Sequence, residues 1–468
     1  MSRKVKIIEN VTLTGIADRG KAVGRDEQGI VYFVSDAVPG DVVNIVRGKK
    51  KRGVYQGKIK DFVTLSPDRI EPKCQHFSLC GGCKWQNLDY STQLKHKTQT
   101  VIDAMSRIAK VDTSTIAPIK GAEKIYEYRN KIEYSFSEKR WLTRAEIDSK
   151  EKLNQSPAVG FHHAGAFDKV VDIMQCHLQE DTTNRIRNFI RDYALQRDWT
   201  FYNAVRHTGL FRNMFLRNTL AGKWMMTLVF GKNDTEKREE ILNQILEKFP
   251  EISSMFYIIN TKKNDSIFDL EPVHYAGDTF LEESLGEIKY KISPKSFFQT
   301  NTYQAKVLFD TIEDFADLTG TENVYDLYTG IGSIGLFLAK NAKQIVGIEE
   351  VEDAINDAKV NAELNNIDNA VFYVGDVKDM LSSQFSDNHG APDIIITDPP
   401  RAGMHKDIVE TLLQLESPRI IYISCNPATQ ARDLALLKEK YEIIKMQPVD
   451  MFPHTHHIEN VALLKLRS

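Results

Sequence analysis

Between Val324 and Gly335 the chain reads Val-Tyr-Asp-Leu-Tyr-Thr-Gly-Ile-Gly-Ser-Ile-Gly, a strand that breaks into glycines and opens a helix. Few segments restrict a fold as strongly. The glycines let backbone approach a ligand, and a strand–turn–helix unit of this kind belongs to a parallel sheet with helices on its faces. From about residue 296 onward strand-like and helix-like stretches alternate, as such a sheet requires. Gln344 to Ile348 reads as the next strand and ends in Glu349, where an acid accepts the ribose hydroxyls of a nucleoside cofactor. A glycine turn by itself also suits a dinucleotide.

The feature that discriminates lies further on. Ile394-Ile-Ile-Thr-Asp398-Pro-Pro-Arg401 is a strand ending in Asp-Pro-Pro, a placement after the fourth strand typical of S-adenosylmethionine (SAM) methyltransferases. Upstream the chain changes character. Residues 1–62 read as short strands between glycine turns (Val11 to Ile16, Ile30 to Ser35, Asp41 to Val46, Val54 to Val63), the pattern of a small OB-like β-barrel. Ser66-Pro-Asp68 and Glu71-Pro72 mark a linker. Tyr90 to Ala109 has helical periodicity with Ser91 as N-cap. From about 120 to 295 the pattern is antiparallel β, with a hairpin across Ala221-Gly222, a helix from Thr235 to Phe249, and a charged surface excursion from Glu138 to Gln155. The expected domains are therefore 1–62, 63–295 and 296–468.

Five cysteines divide into two chemical jobs. Cys74, Cys80 and Cys83 form a C-x5-C-G-G-C run, with Cys176 far along the chain. Three thiols and a remote fourth make the ligand count of an iron–sulfur cluster or a structural zinc site. Cys425, in Ile-Ser-Cys-Asn-Pro after an apolar strand, stands where a nucleophile would sit in an α/β region.

Charge adds a further bound. A formal net charge of −3 conceals 18 Lys+Arg against 10 Asp+Glu in residues 1–100, and 5 against 18 in residues 301–400. Arg47 to Lys60 carries no acidic residue. A basic module joined to an acidic one suggests a nucleic-acid-binding appendage on an enzyme. No run approaches the roughly 18 apolar residues of a membrane span. The start has no signal-peptide core, so a cytoplasmic protein with reduced thiols and no membrane partner is expected.

Asp-Pro-Pro-Arg-Ala-Gly at 398–403, Ser-Cys-Asn-Pro at 424–427, Phe452-Pro-His-Thr-His-His-Ile-Glu459, the Pro72 to Gln86 cysteine run and Ser296-Phe-Phe-Gln-Thr-Asn301 together resemble the TrmA/RumA family of RNA uracil-C5 methyltransferases. The likeness spans nearly the whole chain in motif order. It implies a Rossmann-like SAM domain, an N-terminal TRAM barrel and a central, mostly antiparallel β domain carrying a [4Fe–4S] cluster on Cys74, Cys80, Cys83 and Cys176. By the same resemblance Cys425 adds to C6 of uracil and Glu459 removes the C5 proton. Gln299, Tyr328 and Glu349 contact SAM, Asp376 the adenine, and Asp398 the uracil or the cofactor side. Relatives often carry Asn where Ser333 stands, which leaves a cofactor role for Ser333 open. The TRAM barrel tilts the expected substrate toward 23S rRNA, with the protein a monomer.

Rival readings are a tRNA uracil-54-type enzyme, an RNA-binding assembly factor on a degenerate methyltransferase fold, and an amino-methyltransferase. The last leaves Ser-Cys-Asn-Pro unexplained. His454, His456 and His457 lack a neighbouring acidic triad and read as substrate-loop or packing residues. Tyr128 to Lys131 and Arg206 to Arg217 mix basic and aromatic groups suited to phosphates and splayed bases.

Overall fold

Short, almost continuously apolar strands alternate with helices in the C-terminal third, and they build a seven-stranded sheet whose two faces are both buried. In the computed structural model, which describes residues 6–149, 155–163 and 165–467, these strands are β15 (Asn323–Leu327), β16 (Gln344–Glu349), β17 (Ala370–Val374), β18 (Ile394–Thr397), β19 (Arg419–Ser424), β20 (Tyr441–Val449) and β21 (Glu459–Leu466). Their order is β17-β16-β15-β18-β19-β21-β20, with only the pairings of β21 antiparallel. Val324, Ile394, Ile396, Ile421 and Ile423 face the helices Thr302–Ala316, Ser333–Leu338 and Glu352–Leu364. Tyr325, Ile395, Ile420 and Tyr422 face the opposite layer, made by Lys406–Leu415, Pro427–Leu437 and Tyr90–Ala104. Strand order reverses between β15 and β18, so the crevice beyond their carboxyl ends is the place where an open α/β sheet binds ligands.

At the other end of the chain, β1 (Ile7–Ala17), β2 (Lys21–Arg25), β3 (Val31–Val34), β4 (Val42–Lys51) and β5 (Val54–Thr64) close into a barrel in the order β1-β2-β3-β5-β4. Val11, Leu13, Tyr32, Val34, Val43 and Ile45 fill it. Buried Asp41 seals its exit by accepting from the amides of Val38 and Ser66 and from the Arg69 guanidinium. The signal-peptide reading of the first residues falls partly outside the described residues, as does 150–154 of the charged excursion.

The central lobe is a sheet of β6 (Lys131–Ser137), β7 (Ala158–His162), β8 (Val170–Asp172), β9 (Phe211–Asn218), β10 (Trp224–Phe230), β11 (Ile252–Ile259) and β12 (Val273–Gly277), ordered β12-β11-β10-β9-β6-β7-β8. Only β10 and β11 run parallel. One face packs Ile132, Tyr134, Met214, Leu216 and Met226 against the helices Thr182–Gln196 and Thr235–Lys248. The hairpin of β13 (Leu281–Leu285) and β14 (Ile288–Ile292) then leads into the SAM-type domain.

Two sequence expectations change here. The N-cap of the helix at Tyr90 is Asp89, whose carboxylate accepts from the Thr92 amide, and Met105–Ala109 forms a π turn that ends the helix. This helix also belongs spatially to the C-terminal layer, although it precedes that domain by some two hundred residues. Lys97 on it is wholly buried against Asp450, 2.5 Å away, and also donates to the Phe452 carbonyl at 3.0 Å. Breaking a buried pair strands the remaining charge. Lys97→Met should therefore destabilise the protein by about 3–5 kcal/mol, measured as a lowered denaturant midpoint against wild type. An unchanged midpoint would show that Asp450 is satisfied without its cation.

Candidate active site

The crevice is assembled at and just beyond the carboxyl ends of the strands. After β15, Tyr328, Gly330 and Gly332 adopt left-handed φ angles of 63°, 56° and 78°. Gly332 is needed in that conformation, and a Cβ on Gly335 would meet Ile345 at 2.8 Å, so the helix could not sit this close to the sheet. Buried Asp326 pins the turn, accepting from Thr329 Oγ1 at 2.6 Å and from the Gly335 amide at 3.0 Å. Burial pushes its carboxyl up to about 6 in spite of those bonds. A polar residue inside the apolar Val-Tyr-Asp-Leu strand was the signal for it, and sequence reasoning passed over it.

Glu349 ends β16 with one carboxylate oxygen accepting from the Gly330 amide at 3.2 Å and the other from Val351 at 3.1 Å. Asp376 follows β17 and caps the next helical turn through the Lys378 amide. The Tyr328 phenol sits among these acids: burial, then the charges of Asp376 and Asp433, raise it above its ordinary value. Gln299 comes from a different direction, on the loop before helix Thr302–Ala316. Asn130 donates to its carbonyl at 2.8 Å, and Asn301 fastens the loop to the Met451 carbonyl at 2.9 Å. Ser333 offers its backbone carbonyl to the Tyr290 hydroxyl at 2.8 Å.

Asp398, Cys425 and Glu459 occupy the same edge. The Asp398 amide reaches the Leu327 carbonyl at 3.5 Å, which puts Asp398 beside Tyr328. Ser424 pairs with Asn460 and Ile423 with Val461. One further step in that register sets Cys425 opposite Glu459, and opposed residues project from one face with Cβ atoms about 4.5–5.5 Å apart. Asn426 caps the helix that Pro427 begins and donates to the Arg401 carbonyl at 3.1 Å, so the Cys425 backbone is held from both sides. Burial first, then the charges of Glu459 and Asp398, push the thiol up to about 11, while Arg401 opposes them. Glu459 is itself driven well above the usual carboxylate range by burial and then by Asp398. Asp398 is raised by burial and then by Asp326. Arg401, unassigned from sequence beyond its place in the motif, is the cation that faces this group.

The loop from Asp450 to Ile458 delivers Glu459. His454 accepts through its carbonyl from the Lys84 and Trp85 amides at 2.8 and 3.0 Å, and its ring lies 4.4 Å from that of Tyr126. His456 and His457 rings are 4.2 Å apart, and burial lowers their pKa to about 3 and about 4. These histidines pack the loop.

Cys74, Cys80, Cys83 and Cys176 line a second cavity of about 280 Å³ between the cysteine segment and the central sheet, with Thr455 of the Glu459 loop in its wall. All are free thiols. Burial raises Cys83 to about 12, with Cys80, Cys176 and Cys74 adding to the rise. Among the described residues, no three His, Cys, Asp or Glu side chains converge as a metal-ion site does. Of the basic residues expected to meet RNA, Arg206 is ion-paired with Glu138, and Arg212 is buried, donating to the carbonyls of Asn260, Lys262 and Asn264.

A parallel sheet with a glycine turn, an acid ending its second strand and an Asp-Pro-Pro edge defines a SAM-dependent methyltransferase. The sequence profile of the tRNA (uracil-5-)methyltransferase family matches residues 174–467. A protein of Bacteroides thetaiotaomicron named as an uncharacterized RNA methyltransferase is 50% identical over 97% of this chain and 100% of its own. One of Porphyromonas gingivalis with the same description is 47% identical over 97% of this chain and 98% of its own. The solved Pyrococcus abyssi tRNA (uracil-54, C5)-methyltransferase, in complex with S-adenosyl-L-homocysteine, superposes with a TM-score of 0.75 at 28% identity, covering 97% of this chain and 99% of that one. The chain belongs to the RNA (uracil-C5) methyltransferase family, enzymes that take the methyl group from SAM.

The electrostatics of Cys425 predict a pH profile. A thiol held near 11 is protonated at neutral pH and gains thiolate only as pH rises toward that value. Carbamidomethylation of the Cys425 peptide by iodoacetamide, followed by mass spectrometry, should accelerate up to above about pH 10. Glu459→Gln removes a charge that disfavours the thiolate and should move that curve to lower pH. An ordinary midpoint near about 8.5 in wild type would contradict this environment.

Proposed function

We propose that Cys425 and Glu459 divide the methylation of uracil C5 between them, with 23S rRNA as the substrate. The pairing register that sets the thiol opposite the carboxylate carries this reading. C5 of uracil is too weak a nucleophile to attack a methyl sulfonium. Addition of the Cys425 sulfur to C6 converts the ring into an enolate with electron density at C5, which then takes the methyl group. The C5 proton must leave before the carbon–sulfur bond can break, and Glu459 accepts it. Burial and the charge of Asp398 hold the Glu459 carboxyl well above the usual carboxylate range, so its ionised form is a stronger base than a solvated carboxylate. Arg401 favours the thiolate that must form.

SAM lies in this reading across the glycine turn, with Glu349 on the ribose, Asp376 on the adenine, and Tyr328, Gln299 and Asp398 lining its methionine side and the approach of the uracil. Supporting this is the arrangement of Tyr328, Glu349, Asp376 and Asp398 along one sheet edge at the topological switch point.

The basic hairpin of the barrel, where Arg47 and Lys50 flank the Tyr55 ring at 4.7 and 5.6 Å, suits a large structured RNA. The second reading, a tRNA substrate modified at a uracil-54-type position, is favoured by the Pyrococcus neighbour, a tRNA (uracil-54, C5)-methyltransferase whose superposition covers 97% of this chain. Mapping 5-methyluridine by mass spectrometry in rRNA and tRNA from a deletion strain separates the two: loss from 23S rRNA supports the first reading, and loss from tRNA alone replaces it with the second.

Four thiols around one cavity suit a [4Fe–4S] cluster on Cys74, Cys80, Cys83 and Cys176, since a polynuclear group fills a space that a single ion does not. Such a group would supply folding energy at the junction of three lobes and no redox step. Anaerobically purified protein should contain iron and sulfide and absorb broadly in the visible, and Cys80→Ala should bleach it. Stoichiometric zinc without iron would overturn this assignment.

The two catalytic roles predict different failures. Cys425→Ala should give no methyl transfer and no covalent RNA. Glu459→Gln should still add and methylate, then accumulate a denaturation-resistant protein–RNA species carrying the methyl group. That adduct should vanish in the double variant. Normal turnover by Glu459→Gln, or an adduct persisting without Cys425, would reject the assignment.

A further inference from the structure

One face of the central sheet, opposite its helix-covered face, carries a juxtaposition that packing alone does not explain. In the antiparallel pairing of β6 with β9, Lys131 lies directly across from Arg217. Like charges placed opposite each other on a sheet destabilise it. Arg129 adds a third cation, its Nε donating to the Lys131 carbonyl at 3.2 Å. Arg217 is only 4% exposed and bonds through one terminal nitrogen to the Ser296 carbonyl at 2.9 Å. Its other terminal nitrogen is buried with no hydrogen-bond partner. The Lys131 ammonium has no hydrogen-bonded or ion-paired partner among the described residues, only the Phe215 ring 5.9 Å away.

Two acids face these three cations, Glu283 toward Arg217 and Glu133 toward Lys131. Glu283 is engaged by the Leu220 amide and by Thr302 Oγ1. Glu133, on the same face of β6, is exposed and its charge is shared with solvent. Burial, with Arg217 adding, pushes Lys131 down to about 8, a strain that an arriving anion relieves. The place is also suitable. Arg217 holds Ser296 and Asn130 holds Gln299, so the cations flank the loop that brings Gln299 to the crevice. Phe215 is half-buried on the same face and offers a ring against which a splayed base can stack.

We propose that Lys131, backed by the charge of Arg217, forms a phosphate subsite that grips the RNA backbone next to the target uridine as it enters the crevice. The subsite rests on the RNA-methyltransferase reading for the identity of its ligand. It neutralises the cross-strand repulsion only when RNA is present, so the sheet face is completed by its substrate. Lys131 makes the contact at the surface, and Arg217 supplies field from beneath.

The test uses full-length protein and a short fluorescein-labelled oligouridylate, with Kd measured by anisotropy across a potassium chloride series. Each phosphate contact contributes about 0.7 to the slope of log Kd against log salt on single strands. Lys131→Met should reduce that slope by about 0.7 and weaken binding about tenfold at low salt, whereas Lys131→Arg should restore the slope. Affinity for S-adenosylhomocysteine, measured by calorimetry, should stay at the wild-type value in both variants, which shows that the crevice is intact. An unchanged slope in Lys131→Met, or no salt-dependent binding by wild type, overturns the subsite. The two readings fail separately: 5-methyluridine formed with an unchanged slope loses the subsite and keeps the reaction, and a Lys131-dependent slope with no 5-methyluridine does the reverse.

Discussion

The Lys97–Asp450 ion pair is the contact on which the arrangement of the crevice depends. Asp450 is the first residue after β20, and its carboxylate is shared by Lys97, by the Tyr90 hydroxyl at 2.9 Å and by the Phe452 amide at 3.0 Å. Its carbonyl takes a bond from Gln304. One buried carboxylate thereby joins the helix Tyr90–Ala104, the helix Thr302–Ala316 and the loop that ends at Glu459. Taking two charges out of water is expensive, and such a pair gains little over an apolar contact in net stability. What it does provide is a single register: the loop cannot slide without unpairing a buried charge. The elements that tolerate this cost are those that must place Glu459 opposite Cys425.

From that loop the contacts radiate to every lobe. Trp85 donates to the Gly20 carbonyl in the barrel at 3.0 Å while its amide reaches His454. Tyr128, just ahead of β6, donates to the Pro453 carbonyl at 3.0 Å. Thr455 forms part of the wall of the thiol cavity. The cysteine segment is therefore a brace between the barrel and the Glu459 loop, joined to that loop through the backbone amides of Lys84 and Trp85.

Much of the C-terminal domain was legible because its strands are short and almost continuously apolar, as a sheet covered on both faces requires, and because they alternate with helices. A parallel sheet puts every carboxyl end on the same side, which is where Glu349, Asp376, Asp398 and Cys425 fall, while the parts given to Asp376, Asp398 and Cys425 came from the motif resemblance. The barrel was harder. Lys21–Arg25 forms a strand that went unread, since Lys-Ala-Val-Gly-Arg is too short and mixed to show a period. Ser91 lost the cap to Asp89 because a carboxylate two residues earlier reaches the same amides. The docking of Tyr90–Ala104 across the C-terminal sheet was invisible for a different reason: amphipathic spacing shows that a face is buried, never what buries it. The segment near residues 116–120 bridging to β20 is unreadable on the same ground.

The acidic residues that sequence motifs single out also obey a constraint visible only in three dimensions. Buried Asp326, half-buried Asp398 and buried Glu459 are coupled in sequence, the charge of Asp326 raising Asp398 and that of Asp398 raising Glu459. Charging all three at once is costly in a low-dielectric setting, so protonation of one makes ionisation of the next easier. The glycine-turn end and the Cys425 end of the crevice are thus linked electrostatically, a coupling that no single motif contains and that follows from three strand ends meeting at one edge.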